Sequence, residues 1–297
     1  MGLPESVQKL ILGHNQFFGI SHLSSERAIA RERQFSDVGN IVRLVRYAQE
    51  RWDAGLMMST HTRANGVAEA IRNDSRLAKD LRLHVLLPYM AKYVRLSNAR
   101  GLVGMVSDIL GQTTWAERFG LGLKAGMGVV KGDPLAKIRA LIDIEMLPFK
   151  GLRLETVFLH NALTDLIAGF GMVDILVFFC DYVRDRYQAT PGFCTLSFEI
   201  VVEKLTASGI TDAAVMAPFN PVGYQMNPSR ERCERAAGMV SNPIVAMSPL
   251  AAGHVSPGSA AQYLGGLQRI GSVVVGASSE THIDESFGGF QTAFEDR

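Results

Sequence analysis

The chain has 297 residues, with 30 Lys and Arg against 29 Asp and Glu and a formal net charge of +1. That length suits a large α/β domain with a substantial core, and the even charge balance supplies no field to attract nucleic acid or an anionic membrane. Three cysteines, Cys180, Cys194 and Cys233, lie far apart without a CxxC pair, which sets aside a disulfide framework and fits a reducing compartment.

The first residues, MGLPESVQKLILG, lack the long apolar core of a signal peptide. The most apolar stretch, Met172 to Cys180, is too short to span a bilayer. The expectation is a cytoplasmic protein with neither nucleic acid nor membrane as partner.

Apolar runs of strand length then alternate with amphipathic helical stretches. KLILG (9–13) is the first strand. In NIVRLVRYAQERW, residues Ile41, Leu44, Val45, Ala48 and Trp52 keep helical spacing, and Gly55 follows the helix. LMMST (56–60) is the second strand, VAEAIRND a short helix, and LHVLLP (83–88) the third strand, stopped by Pro88. From Lys92 to Gly151 the rhythm breaks over about twice the length of one helical return. Asp133 and Pro134 start a helix within that stretch. Residues 92–132, with Gly120, Gly122, Gly126 and Gly128, read as an inserted lid.

The rhythm resumes with ETVFLHN as strand, MVDILVFFCDYVRDRY as helix, GFCTLSF as strand and IVVEKLTASG as helix. DAAVMAPFN, NPIVAMSPL and GSVVVGASS are the last strands, before a helix from about Thr281. Eight continuous apolar strands suit a sheet covered on both faces. The expected fold is α/β: a (β/α)8 TIM barrel over residues 1–297, with an insertion between strands three and four. An open doubly wound sheet is the runner-up, weakened because no GxGxxG follows the first strand.

Several of these segments resemble the aldo/keto reductases, a family of (β/α)8 barrels. AMSPLAAG (246–253) is similar to the family's YSPLAGG run, and VVVGASSETHIDESF (273–287) to its GASSPEQLEENL run. LILGHNQFFG resembles its first strand and glycine-containing loop. RYAQERWDAGLMMSTHTRANGVAEAIR resembles its second unit, and LETVFLHN its fourth strand. The resemblance implies NADP(H) and a Tyr, Lys, Asp and His group at the strand ends. This chain departs from that pattern. Ser59 falls where the aspartate belongs and Ala64 where the tyrosine belongs. Pro88, Tyr89 and Lys92 lie near the lysine position, and His160 alone keeps its type. Met247 stands for the aromatic that stacks on nicotinamide, and Ser197-Phe198 for a Ser-Asn pair. Gly276, His282 and Ser286 are nearest to the Lys, Arg and Asn that grip the adenosine phosphate. NADP(H) is therefore disfavoured, since such a phosphate needs fixed cationic donors.

In barrels the working site lies at the C-terminal strand ends. Three of the seven histidines, His14, His61 and His160, fall there. With Tyr89 and Glu199 they are the candidate catalytic groups. His14, His61 and His160 also form a candidate divalent-metal set, although no HxH or HExxH spacing supports it. Their bland alternative is packing against backbone. Arg63 is placed to grip an anionic substrate by paired N–H bonds, or else is a solvated loop charge. Asn15, Lys92, Asn161, Ser197 and Asn220 complete the candidate substrate-binding set. Glu199 has helix capping as its alternative role, and Lys92 a minor Schiff-base role. The leading function is a small-molecule lyase, isomerase or hydrolase step run by the histidines, with or without metal. The alternatives are a divergent NADP-dependent reductase, with Tyr89 or a water as proton donor, and a non-catalytic binding barrel.

Overall fold

The computed structural model describes residues 7–19, 25–89 and 134–296. Its centre is a closed barrel of parallel strands in chain order. The strands are β1 (Leu10–Leu12), β2 (Gly55–Ser59), β3 (Leu83–Leu87), β4 (Leu154–Leu159), β5 (Thr190–Cys194), β6 (Ala214–Pro218), β7 (Ile244–Met247) and β8 (Ile270–Val275). Closure comes from β1 pairing with β8, Leu10 opposite Val273 and Leu12 opposite Val275.

The helices among the described residues are numbered in chain order. A short 3-10 turn, Asn15–Phe18, follows β1, and α1 (Ser25–Gln34) and α2 (Val38–Trp52) lead to β2. Next come α3 (Ala64–Asn73) and α4 (Ser75–Asp80) before β3, then α5 (Pro134–Met146) before β4. The segments α6 (Asn161–Gly169), α7 (Val173–Tyr187), α8 (Phe198–Ala207), α9 (Arg230–Met239), α10 (Pro257–Gly265) and α11 (Glu280–Glu295) complete the outer ring. The result is the expected (β/α)8 barrel with an insertion between strands three and four. Lys92 and the 92–132 lid segment lie outside the described residues. No helix among the described residues is long and apolar enough to cross a membrane.

Side chains alternate across each strand, so every second residue points inward. Ile11, Met57, Phe158, Cys194, Ala214, Met216 and Val245 pack together as the barrel interior. Their neighbours along the strands, among them Leu12, Leu56, Met58, Val85, Val157, Phe193 and Val215, belong to the larger core under the helices. Both faces are therefore buried, which is why the strands read as continuous apolar runs rather than alternating ones. Two glycines make room inside. A Cβ on Gly192 would sit 2.4 Å from the Phe158 ring. One on Gly55 would meet Gln8 Oε1 at 2.2 Å and His84 Nε2 at 2.6 Å.

The structure corrects the fifth strand and adds helices to the sequence reading. The fifth strand is Thr190–Cys194, not GFCTLSF, because Phe198 starts α8. The Thr195 hydroxyl donates to Asp165 and accepts the Ser197 N–H at 2.8 Å, which turns the chain out of the sheet. Helices α9 and α10 were not picked out. Ser229 and Ser256 cap them, each accepting a backbone N–H three residues on.

Candidate functional site at the C-terminal mouth of the barrel

Inward alternation along β2 runs through Met57 and Ser59 to His61, and along β4 through Phe158 to His160. Both histidines end their strands and begin helices. His160 is the N-cap of α6, and its Nδ1 accepts the Ala162 N–H at 3.2 Å. His61 precedes α3, and its Nδ1 accepts the Arg63 N–H at 3.1 Å. An imidazole that accepts at Nδ1 is neutral and carries its proton on Nε2. Burial also lowers the pKa of His160 from its ordinary value. The two strands thus deliver similar rings, each held by a backbone N–H at Nδ1.

His14 follows β1 and is buried. Its pKa falls to about 3, mainly because burial removes its water, and next because a proton on His61 would repel one on His14. A bond to the Met57 backbone opposes this, and His160 adds a smaller lowering effect. His14, His61 and His160 are therefore close enough to bias one another. Its Nδ1 is buried with no hydrogen-bond partner, as is the Ser59 hydroxyl oxygen.

Aromatic rings join these groups. Phe18 lies 5.4 Å from the His14 ring and stacks on His61 at 4.4 Å with the planes 10° apart. Tyr89 meets His61 edge-on at 4.8 Å. Offset and edge contacts of this kind are each worth about 0.5–1.5 kcal/mol beyond area burial. Behind them, Thr60 donates its hydroxyl to the buried Glu145 of α5 and accepts the Tyr89 N–H at 2.9 Å. Across the barrel, Cys194 Sγ contacts Met247 Sδ at 3.7 Å, and burial pushes the Cys194 thiol up to about 12.

Other candidates have different employment. Arg63 donates to the carbonyls of Phe17 at 3.0 Å, Phe35, and Ser36 at 3.3 Å. Its guanidinium ties the β1 turn to the loop before α2, rather than standing free for an anion. Glu199, in the first turn of α8, pairs with Arg232 of α9 at 2.8 Å on the outer ring. Asn220 is fully buried; its amide donates to the Tyr224 and Ser248 carbonyls and accepts the Tyr224 N–H at 2.8 Å. Ser197 stands at the N-cap position of α8 without a side-chain cap bond and Asn161 opens α6, both half-buried, while Asn15 is exposed at the start of the 3-10 turn. Lys92 lies outside the described residues.

The metal reading is not supported by this geometry. Among the described residues no three His, Cys, Asp or Glu side chains are placed to hold a metal ion. His61 and His160 each spend one nitrogen on backbone, and His14 turns to Met57. The residues that would meet an adenosine phosphate fit poorly too. The first turn of α11 carries Glu280, and His282 Nδ1 lies 3.3 Å from the Ser278 hydroxyl. A carboxylate at a helix N-terminus competes with a bound phosphate for the same partial charge.

Sequence reasoning missed Phe18 and Thr60. The double aromatic Phe17-Phe18 beside His14 was the available signal for the first, and no pattern marks the second.

No protein-family model matches the chain, and neither does any curated protein. Solved structures do. One from Pseudomonas aeruginosa, provisionally described as an aldo-keto reductase, superposes with a TM-score of 0.62 at 13% identity, covering 99% of this chain and 94% of its own. A second from the same organism and of the same description gives 0.61 at 14%, with the same coverage. The chain has the barrel fold of the aldo-keto reductases. A structure provisionally described as a 2,5-diketo-D-gluconic acid reductase B gives 0.51 at 12%, over 96% of this chain and 86% of its own. On the aldo-keto reductase fold, His160 holds the strand-four position where the resemblance implies a histidine. Ala64, where the resemblance implies the tyrosine, is fully buried in α3.

Proposed function

We propose that this protein is a small-molecule enzyme that polarises a carbonyl, or a similar oxygen, with the Nε2–H groups of His61 and His160. One observation carries the reading: both rings accept a backbone N–H at Nδ1, at 3.1 and 3.2 Å. Two fixed neutral donors lower the energy of a developing oxyanion without reorganising during the reaction. Removing one such donor typically costs about 10²–10³ in rate. His14, neutral because it is buried, donates to the Met57 backbone and keeps Nδ1 as a buried acceptor without a partner. The step is an isomerase, lyase or hydrolase reaction, since the tyrosine position is Ala64 and no metal set is present among the described residues.

A second reading is a nicotinamide-dependent reduction, favoured by the fold and by Tyr89, whose ring lies against His61. One experiment separates the two. The protein is incubated with a panel of aldehydes, ketones and esters, charged and uncharged, with and without NADPH. The first reading expects turnover without NADPH, and no NADPH binding as tight as about −8 kcal/mol, or micromolar. Turnover only with NADPH, at sub-micromolar affinity, makes the chain a reductase.

A further inference from the structure

The geometry points to Thr60, held by Glu145, as the positioning residue for the His61–Tyr89 pair, an inference that rests on the mouth reading above. Thr60 is buried, next to His61 at the end of β2, and makes two bonds with one hydroxyl. Its hydrogen goes to a carboxylate oxygen of Glu145 on α5, and its oxygen accepts the Tyr89 N–H at 2.9 Å. Three elements that share no sequence neighbourhood, the ends of β2 and β3 and helix α5, meet at this one side chain.

The consequence follows from connectivity. Tyr89 begins the segment after β3, where sheet pairing no longer fixes the backbone, since the β3–β4 ladder ends with Leu87 opposite Leu159. The Thr60 oxygen holds the Tyr89 backbone in its place. The Tyr89 ring then stands edge-on to His61, and Phe18 stacks on the same imidazole at 4.4 Å. Tyr89 and Phe18 together set the tilt of the imidazole, and its Nδ1 bond to the Arg63 N–H sets its rotation. Glu145 is only 3% exposed. A carboxylate buried that deeply must be hydrogen-bonded, and Thr60 gives it a donor while fixing the hydroxyl's own direction. Thr60 touches no substrate in this account and acts only through Tyr89 and His61.

The test uses the full chain labelled with 15N-histidine and 13C-tyrosine. T60S keeps the hydroxyl; T60V keeps the shape and loses both bonds; E145M keeps the bulk of the side chain and removes the carboxylate that accepts from Thr60. The expected result is that T60S reproduces the wild-type His61 and Tyr89 ring signals. T60V should shift both, because the ring currents of Phe18 and Tyr89 fall on His61 at contact distance, while His84 signals in the barrel interior stay put. E145M should shift them in the same direction by a smaller amount. If T60V does not fold, E145M carries the same reading. Unmoved His61 and Tyr89 signals in a folded T60V, or in a folded E145M, overturn the proposal. These signals report position without any substrate, so the inference can fail while the polarising role of His61 survives, and the reverse.

Discussion

His160 does two jobs with one ring. Its Nδ1 closes the first turn of α6, and in the proposed function its Nε2–H polarises the substrate. The two can be separated by chemistry. Asparagine is among the best N-cap residues, so H160N should keep the cap and lose the mouth donor. The expectation is a melting temperature within a few degrees of wild type and a rate lower by about 10²–10³. H160A should lose the cap as well, at about 1 kcal/mol. Thermal melts of the two variants beside their rates check this; H160N with full activity would assign His160 to capping alone. His84 is a second buried imidazole, below the mouth, with its Nδ1 2.8 Å from the Thr156 hydroxyl. Its pKa is lowered to about 3, first by burial and then by the charge of Arg82. The unfolded chain therefore binds more protons than the folded one between about pH 6.5 and pH 3. The stability from keeping this ring neutral is full above pH 6.5 and is lost as pH falls toward 3, at up to about 1.4 kcal/mol per pH unit. His14 adds a similar slope over the same window. Urea denaturation from pH 7 to pH 4 should show H84Q with a shallower pH dependence than wild type; equal slopes would mean that His84 is not held neutral.

At the scale of elements, the strands were readable because both faces of a covered parallel strand are apolar, and runs such as LILG and LMMS show it directly. The fifth strand was not: its end is set by Thr195 bonding Asp165 of α6, a long-range contact with no local mark. The polar layer inside the barrel was equally hidden. His84 alternates inward like its neighbour Leu86, and only Gly55 across from it provides the space. G55A should therefore overpack the floor and cost about 1–3 kcal/mol, read as a shift in the urea midpoint; a neutral G55A would mean that Gln8 and His84 can both move aside. Arg63 was legible as a residue near the mouth but not as a clamp, because its targets are backbone carbonyls, which every sequence contains. R63K keeps the charge but cannot reach three carbonyls in a fixed fork. It should lower stability by about 1–3 kcal/mol and leave the relative rates on anionic and neutral substrates unchanged. A selective loss on anionic substrates would restore Arg63 to substrate binding.

Over the whole molecule, the order of strands was the strongest signal, since eight units in chain order allow few topologies. The superposition on aldo-keto reductase structures agrees with it. The site was legible only in part. His14, His61 and His160 lie at strand ends, which the strand pattern marks, and the fold brings them into electrostatic contact. Glu199 directly follows the strand that the sequence suggests, GFCTLSF, yet β5 ends at Cys194 and the helix turns Glu199 outward to Arg232. What divides them is the direction of the first helical turn, which periodicity does not encode. On the proposed function the mouth polarises a substrate oxygen without a nicotinamide. The most direct measurement is exchange of the protons next to a carbonyl in deuterated water, followed by NMR with the ketones and aldehydes of the panel and no cofactor added. Exchange catalysed by the wild-type protein and lost about 10²-fold or more in H160N is the predicted result. Exchange no faster than buffer for every compound, or equal in wild type and H160N, would contradict it.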